Sequence, residues 1–416
     1  MNPCPSPHPL ARKMDLLKKN IRGLVIIMIT GMVSLYAYAG EVLRQAPRPY
    51  MIVDTGVREF YDNTTIITKP KQGDPFYGQD AHYQINTPSY TDNGDGTITD
   101  QVTGLMWQKR MGEKMSFEEA FRQARESDRG GHRDWRVPTI KELYSLIQFT
   151  GRVNGQKAIT PFIDTHYFDQ PLGDTRSGER EIDAQTWSAT EYVGRTMRND
   201  ETVFGVNFVD GRIKGYPKYN PRTRQPNRMY FRFVRGYRDY GINAFVDNKN
   251  GTVTDTSTGL MWQKSDSGQG MNWEMALKYS EDLSLGGYDD WRLPSAKELQ
   301  SIVDYSRSPQ TCGTPAIDPV FETSAIKDPE GKKQHPYFWT STTHLDGPHP
   351  YRSAVYVAFG AAQGKMGNSL MDVHGAGAQR SDPKTGDKQD YPQYVGPQGD
   401  VRYVFNYVRC VRSVNP

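Results

Sequence analysis

Three groups of side chains in this 416-residue sequence have the types and spacing that chemistry requires. The first is acidic. DNGDGTITDQVTGLMWQK begins at Asp92, and a near copy, DNKNGTVTDTSTGLMWQK, begins at Asp247. Alternating oxygen ligands suit calcium, but an EF-hand loop also needs a ligand at its third position and a bidentate Glu at its twelfth. Counted from Asp92 these places hold Gly94 and Thr103, and in the second copy Lys249 puts a cation inside the supposed cage. Asn and Gly at positive φ in a hairpin turn account for both versions without metal. The turn is the favoured reading and calcium the competing one.

The second group is basic. Between Arg212 and Arg238 lie nine Lys or Arg and no Asp or Glu, interleaved with Tyr216, Tyr219, Tyr230 and Tyr237. Guanidinium groups make paired, charge-assisted hydrogen bonds to sulfate, phosphate and carboxylate. Arg212, Lys214, Lys218, Arg222, Arg224 and Arg228, with Tyr216 and Tyr219, are therefore the candidate ligand-binding residues, and anionic polysaccharide is the ligand class they suit. The competing reading is a solvated loop that balances acid elsewhere. A net charge of +3 is too small to suggest nucleic acid as a partner.

The third group is the cysteines, Cys4, Cys312 and Cys410. Residues 1–39 have the form of a secretion signal, with Lys18, Lys19 and Arg22 before an apolar run and AYA at Ala37–Ala39. Met14 is a plausible true start. The apolar run is shorter than a bilayer span needs, so no permanent membrane anchor is expected. Cleavage after Ala39 removes Cys4, and two cysteines left in an oxidising compartment predict a Cys312–Cys410 disulfide. No HExxH, GxSxG or phosphate loop occurs, and His166 and His335 have no evident partner. Neither catalysis, a cofactor nor a metal is expected.

The elements that must position these groups come in two copies. GGHRDWRVPTIKELYSLI is answered by GGYDDWRLPSAKELQSIV, TWSAT by FWTST, and FRFVRG by VRCVRS, in the same order. Ser116 with Glu119, Thr139 with Glu142 and Ser295 with Glu298 are capping boxes that open helices. TITD, GLMWQK and the alternating C-terminal thirds predict antiparallel strands. Trp107, Trp135, Trp187, Trp262, Trp291 and Trp339 recur at equivalent places, which points to shared cores; a stacking face for sugar rings is the alternative. In the DWR steps, Arg136 and Arg292 are expected to bond carboxylates or backbone carbonyls. Cys410 stands where copy one has Phe233, and Cys312 where it has NGQKA, so both cysteines are absent together from copy one.

Taken together, DNGDGTITD with TGLMWQK, DWRVPTIKEL, the Trp-Ser/Thr step and the closing VRCVR resemble the C-terminal domain family of the Legionella collagen-like protein. The resemblance covers Tyr90–Arg238 and Phe245–Val414. The lead-in DPFYGQDAHYQINTPSY is also similar to relatives, which often carry a Cys pair there; Phe60 and Lys69 occupy those places here. The resemblance implies an extracytoplasmic bacterial protein with a C-type-lectin-like fold, related to that of the formylglycine-generating enzyme. The founding member is an adhesin whose domain trimerises and binds sulfated glycosaminoglycans.

The expected architecture is α+β. A signal peptide at 1–39 and an extension at 40–89 precede two tandem lectin-like domains, 90–240 and 241–416. Each domain has two helices and a twisted antiparallel sheet with long loops. The expected role is binding or adhesion in the periplasm or at the cell surface, with anionic glycan or envelope proteins as partners and oligomerisation left open. The alternatives are a structural envelope component and, less favoured, an enzyme of the formylglycine-generating type.

Overall fold

A computed structural model describes residues 47–153 and 159–414. The signal segment, Cys4 and Met14 lie outside the described residues. Within them the chain is mostly antiparallel sheet, with five α-helices: α1 (Phe117–Glu126), α2 (Ile140–Tyr144), α3 (Trp273–Glu281), α4 (Ala296–Ser301) and α5 (Pro309–Cys312). No helix among the described residues is long and apolar enough to cross a membrane.

The repeated sequences build repeated structure. TITD and MWQ form a hairpin in copy one, TVTD and LMWQ in copy two. In each copy the last strand returns to the first hairpin, pairing Val234 with Trp107 and Val411 with Trp262. The start and end of each unit are thereby tied in one four-stranded sheet. All six repeated tryptophans are buried, Trp107, Trp187, Trp262 and Trp339 completely. Core packing is thus their role, and no tryptophan face is open for stacking on a sugar.

The DWRxPxxKEL segment is explained by one carboxylate. Glu298, third residue of α4, accepts the backbone N–H of its N-cap Ser295 and both terminal nitrogens of Arg292, at 2.7 and 2.6 Å. Glu142 does the same for Thr139 and Arg136 at the start of α2. Pro before the cap stops the preceding chain from entering the helix early, and the capping box satisfies the N–H groups that the first turn leaves free. The motif's Asp lies outside this unit, where Asp134 pairs with Arg235 and Asp290 with Arg412.

The two copies join in one six-stranded sheet. Strand Arg212–Pro217 of copy one pairs antiparallel with Gln379–Pro383 of copy two through Ile213 and Gln379. Each strand is the second neighbour of its own copy's Trp strand, so equivalent positions face each other, as in an isologous dimer. The lysines of the two KEL steps repeat that reciprocity. Lys141 donates to Ser301 O at the end of α4 (2.6 Å), and Lys297 to Ser145 O at the end of α2 (2.9 Å). Each thereby satisfies a carbonyl that the other helix leaves open at its C-terminus.

Residues 47–89 are not a detached extension. Tyr50, Ile52, Val57, Phe60, Tyr61 and Ala81 enter the largest core cluster, with residues of both copies. Tyr50 N–H donates to Ser257 O, Phe149 N–H to Thr55 O, and Thr342 Oγ1 to buried Asp80. The segment is a strap across the junction, because its apolar side chains are buried nowhere else.

The expected Cys312–Cys410 disulfide does not form. Cys410 is a free thiol, wholly buried, whose sulfur lies 3.4 Å from Ser280 Oγ on α3. It stands in the core of copy two, where Phe233 stands in copy one, and burial pushes its thiol up to about 12. Cys312 closes α5, and Gln310 of the same helix accepts the backbone N–H of Arg195 in copy one.

Candidate anion-binding groove

The acidic turns consume their own oxygens. Asp92 accepts Gly94 N–H and pairs with Lys109 at 2.5 Å, and Asp95 accepts both the N–H and the hydroxyl of Thr97. In copy two Asp247 accepts Lys249 N–H and pairs with Lys249 and Lys264. Gly94 and Gly96 have positive φ, as does Lys249. The hairpin reading accounts for these contacts, and Lys109, Lys249 and Lys264 pair with the first carboxylate of each turn.

The basic run separates into three layers. Arg212 is almost enclosed, held by Asp210 and Asp346, and Lys214 lies 3.6 Å from the same Asp210. Burial pulls Lys214 down to about 8 and drives Tyr216 well above the usual phenol range. Lys218 lies 4.6 Å over the Phe117 ring at the start of α1. Lys384 lies 4.2 Å over Trp273 at the start of α3, so this cation–π contact is a second duplicated device. Lys218 also faces Glu191 and Glu118, and Tyr219 donates to Glu118. Arg228 pairs with Glu119 at 2.9 Å. Arg232 is buried and donates to the carbonyls of Gln108, Lys109 and Asp169, as Arg409 does to those of Gln263, Lys264 and Glu322. Of the eight candidates, Arg212, Lys214, Tyr216, Lys218, Tyr219 and Arg228 are therefore engaged in packing, hydrogen bonds or ion pairs, because each lies against a carboxylate or core.

Arg222 and Arg224 remain. They are exposed, and neither has an ion-pair partner among the described residues. They ride on a hairpin tip in which Asn220 Oδ1 accepts the N–H groups of Arg222 and Thr223, while Arg224 takes a left-handed φ of 59°. A side-chain oxygen that closes a turn fixes the loop locally. Opposite stands a second tight turn, Thr196–Asp200, with Met197 and Asn199 at positive φ. It brings Arg195 and Arg198 to the same groove, of about 540 Å³, along with Tyr219, Glu201 and Met366. Arg195 lies 3.4 Å from Glu201 across exposed surface, and Arg198 has no partner among the described residues.

Copy two contributes Met366 to this groove. Its insertion, strands Gln363–Met366 and Ser369–Asp372, reaches over copy one: Met197 N–H donates to Asp372 O, and Tyr192 donates to the Asp372 carboxylate at 2.7 Å. A family model described as Lcl C-terminal domain matches residues 96–235 and 251–374, more than half of the chain. This chain belongs to the Lcl C-terminal domain family. It carries two tandem copies of the Lcl domain, and no curated protein and no solved structure matches it. The second Lcl match ends at residue 374, so the insertion that carries Met366 lies inside it.

Arg195 and Arg198 are the residues that sequence reasoning missed. RTMRND lacks the apolar period of a helix or strand and has the Asn-Asp of a turn, which was the available signal. That this turn faces the arginine hairpin is a long-range fact. Arg222 and Arg224 are the two sequence candidates left without an ion-pair partner among the described residues.

Proposed function

We propose that this protein is an exported bacterial binding module that holds an anionic polysaccharide in the arginine groove. Two lectin-like domains serve as scaffold, and the role is binding rather than catalysis. The reading is supported most by Arg222 and Arg224, presented without ion-pair partners among the described residues on a hairpin closed by Asn220 and faced by Arg198. Arginine at such a rim gives bidentate contacts to sulfate or carboxylate, and Tyr219 offers a partly exposed ring to a sugar's apolar face. Family membership supports a binding or adhesive role of this kind, and a signal-like N-terminus supports location outside the cytoplasm.

The test is elution from a heparin column. The double variant Arg222→Ala/Arg224→Ala is expected to leave at clearly lower salt than the parent. Arg228→Ala, which removes a cation already paired with Glu119, is expected to elute close to it. Unchanged elution of the double variant would remove the groove as the anion site.

A further inference from the structure

Lys141 and Lys297 occupy equivalent positions in α2 and α4, and each caps the other helix. They differ in what else they meet. Lys297 Nζ donates to two backbone carbonyls, Asp54 O and Ser145 O. Lys141 Nζ meets Gly241 O and Ser301 O, and in addition the side-chain carbonyl oxygen of Asn243 at 2.8 Å. The amide nitrogen of Asn243 in turn donates to Asp255 Oδ2 at 2.7 Å and to Tyr50 Oη at 3.3 Å. Amine, amide and carboxylate thus lie in one hydrogen-bonded row at the junction of the two copies. Asp255 is completely buried.

We propose that Lys141 and Asn243 join in an intramolecular isopeptide bond, with Asp255 as the proton carrier. The uncharged amine of Lys141 attacks Cγ of Asn243, forming the new C–N bond. The Cγ–Nδ2 bond then breaks. A proton from the attacking nitrogen passes through Asp255 Oδ2, already bonded to Nδ2, to the departing nitrogen. Ammonia leaves, so the balance is amine plus primary amide giving secondary amide plus ammonia, with no oxidant or other reactant.

Three observations support the step. The amide is held by both ends, with its oxygen on the amine and its nitrogen on Asp255 and Tyr50, so the acceptor carbon is fixed beside the nucleophile. Such fixed proximity replaces a large part of the entropy a bimolecular aminolysis would lose. Desolvation also pulls Lys141 down to about 8, which raises the share of the nucleophilic uncharged form at neutral pH. Finally, the row is particular to this junction: copy one has Pro88 where copy two has Asn243, so Lys297 finds no amide. The secondary amide keeps one N–H, enough for the bond to Ser301 O.

The experiment is intact mass and tryptic mapping of the natural-sequence protein. A deficit of about 17 Da is expected from the loss of ammonia, together with a branched peptide joining residues 137–152 to residues 239–249 and uncut after Lys141. Asn243→Ala should restore both the full mass and cleavage at Lys141. Two linear peptides, with normal cleavage after Lys141, would overturn the proposal. So would a 17 Da loss that maps to Asn243 alone, since that is cyclisation to a succinimide. A deficit that persists in Asn243→Ala would overturn it as well.

Discussion

Asp80 enters the core from the N-terminal strap and receives hydroxyl hydrogens from Thr55 of the strap itself and Thr342 of copy two. Burial pushes its carboxyl up to about 7, against about 3.9 in an unfolded chain. The folded state therefore favours the protonated acid. Its contribution to stability is complete below pH 4 and is lost as pH rises toward 7, at most about 1.4 kcal/mol for each pH unit. Urea midpoints across that range should show the parent falling relative to Asp80→Asn, with flat differences on either side. Parallel curves would mean that Asp80 ionises alike in both states. Among single residues, type alone was a poor guide to role. Arg222, Arg224 and Arg232 look equally basic in the sequence, yet Arg232 spends its charge on three buried carbonyls. The difference depends on which strand pairs with which, and no local pattern carries that. The turn chemistry of Asp92 and Asp247 was legible because it is local, closed by amides two residues away.

At the scale of elements, the capping glutamates of α2 and α4 do two tasks with one carboxylate. Removing Glu298 leaves Arg292 buried without a counter-charge and opens the cap of α4. Glu298→Ala should cost about 3–5 kcal/mol, the usual loss when one partner of a buried pair is deleted. Glu142→Ala should cost less, because the Arg136 side chain is 16 % exposed against 7 % for Arg292. Denaturant midpoints of the two variants check the ranking; equal losses would show that the cap, not the buried charge, dominates. The sequence carried the capping boxes and expected the DWR arginines to bond a carboxylate or carbonyl. It did not say that the partner was the capping Glu itself, since a helix start and a strand end six residues apart meet only after the Pro turn is made. The pairing of Cys312 with Cys410 failed for a related reason: joint presence in one copy says nothing of direction, and Cys410 points into the core that Phe233 fills in the other copy.

Across the whole molecule the two copies share one sheet, one main core and the strap of residues 47–89. Calorimetry should therefore show a single transition, with van't Hoff and calorimetric enthalpies in agreement. Two resolved transitions would mean that the halves melt independently. The duplication itself was plain in the sequence, from GLMWQK to the closing VR. The join was not, because it rests on the pairing of Ile213 with Gln379 and on an insertion with no counterpart in copy one. That pairing has a further meaning. When two separate identical chains meet across a rotation axis, every substitution appears on both sides at once. Fusion lifts this restriction, and here Ile stands opposite Gln at the centre of the shared sheet. One half was thereby free to grow an arm over its sibling, which reaches the edge of the arginine groove with Met366.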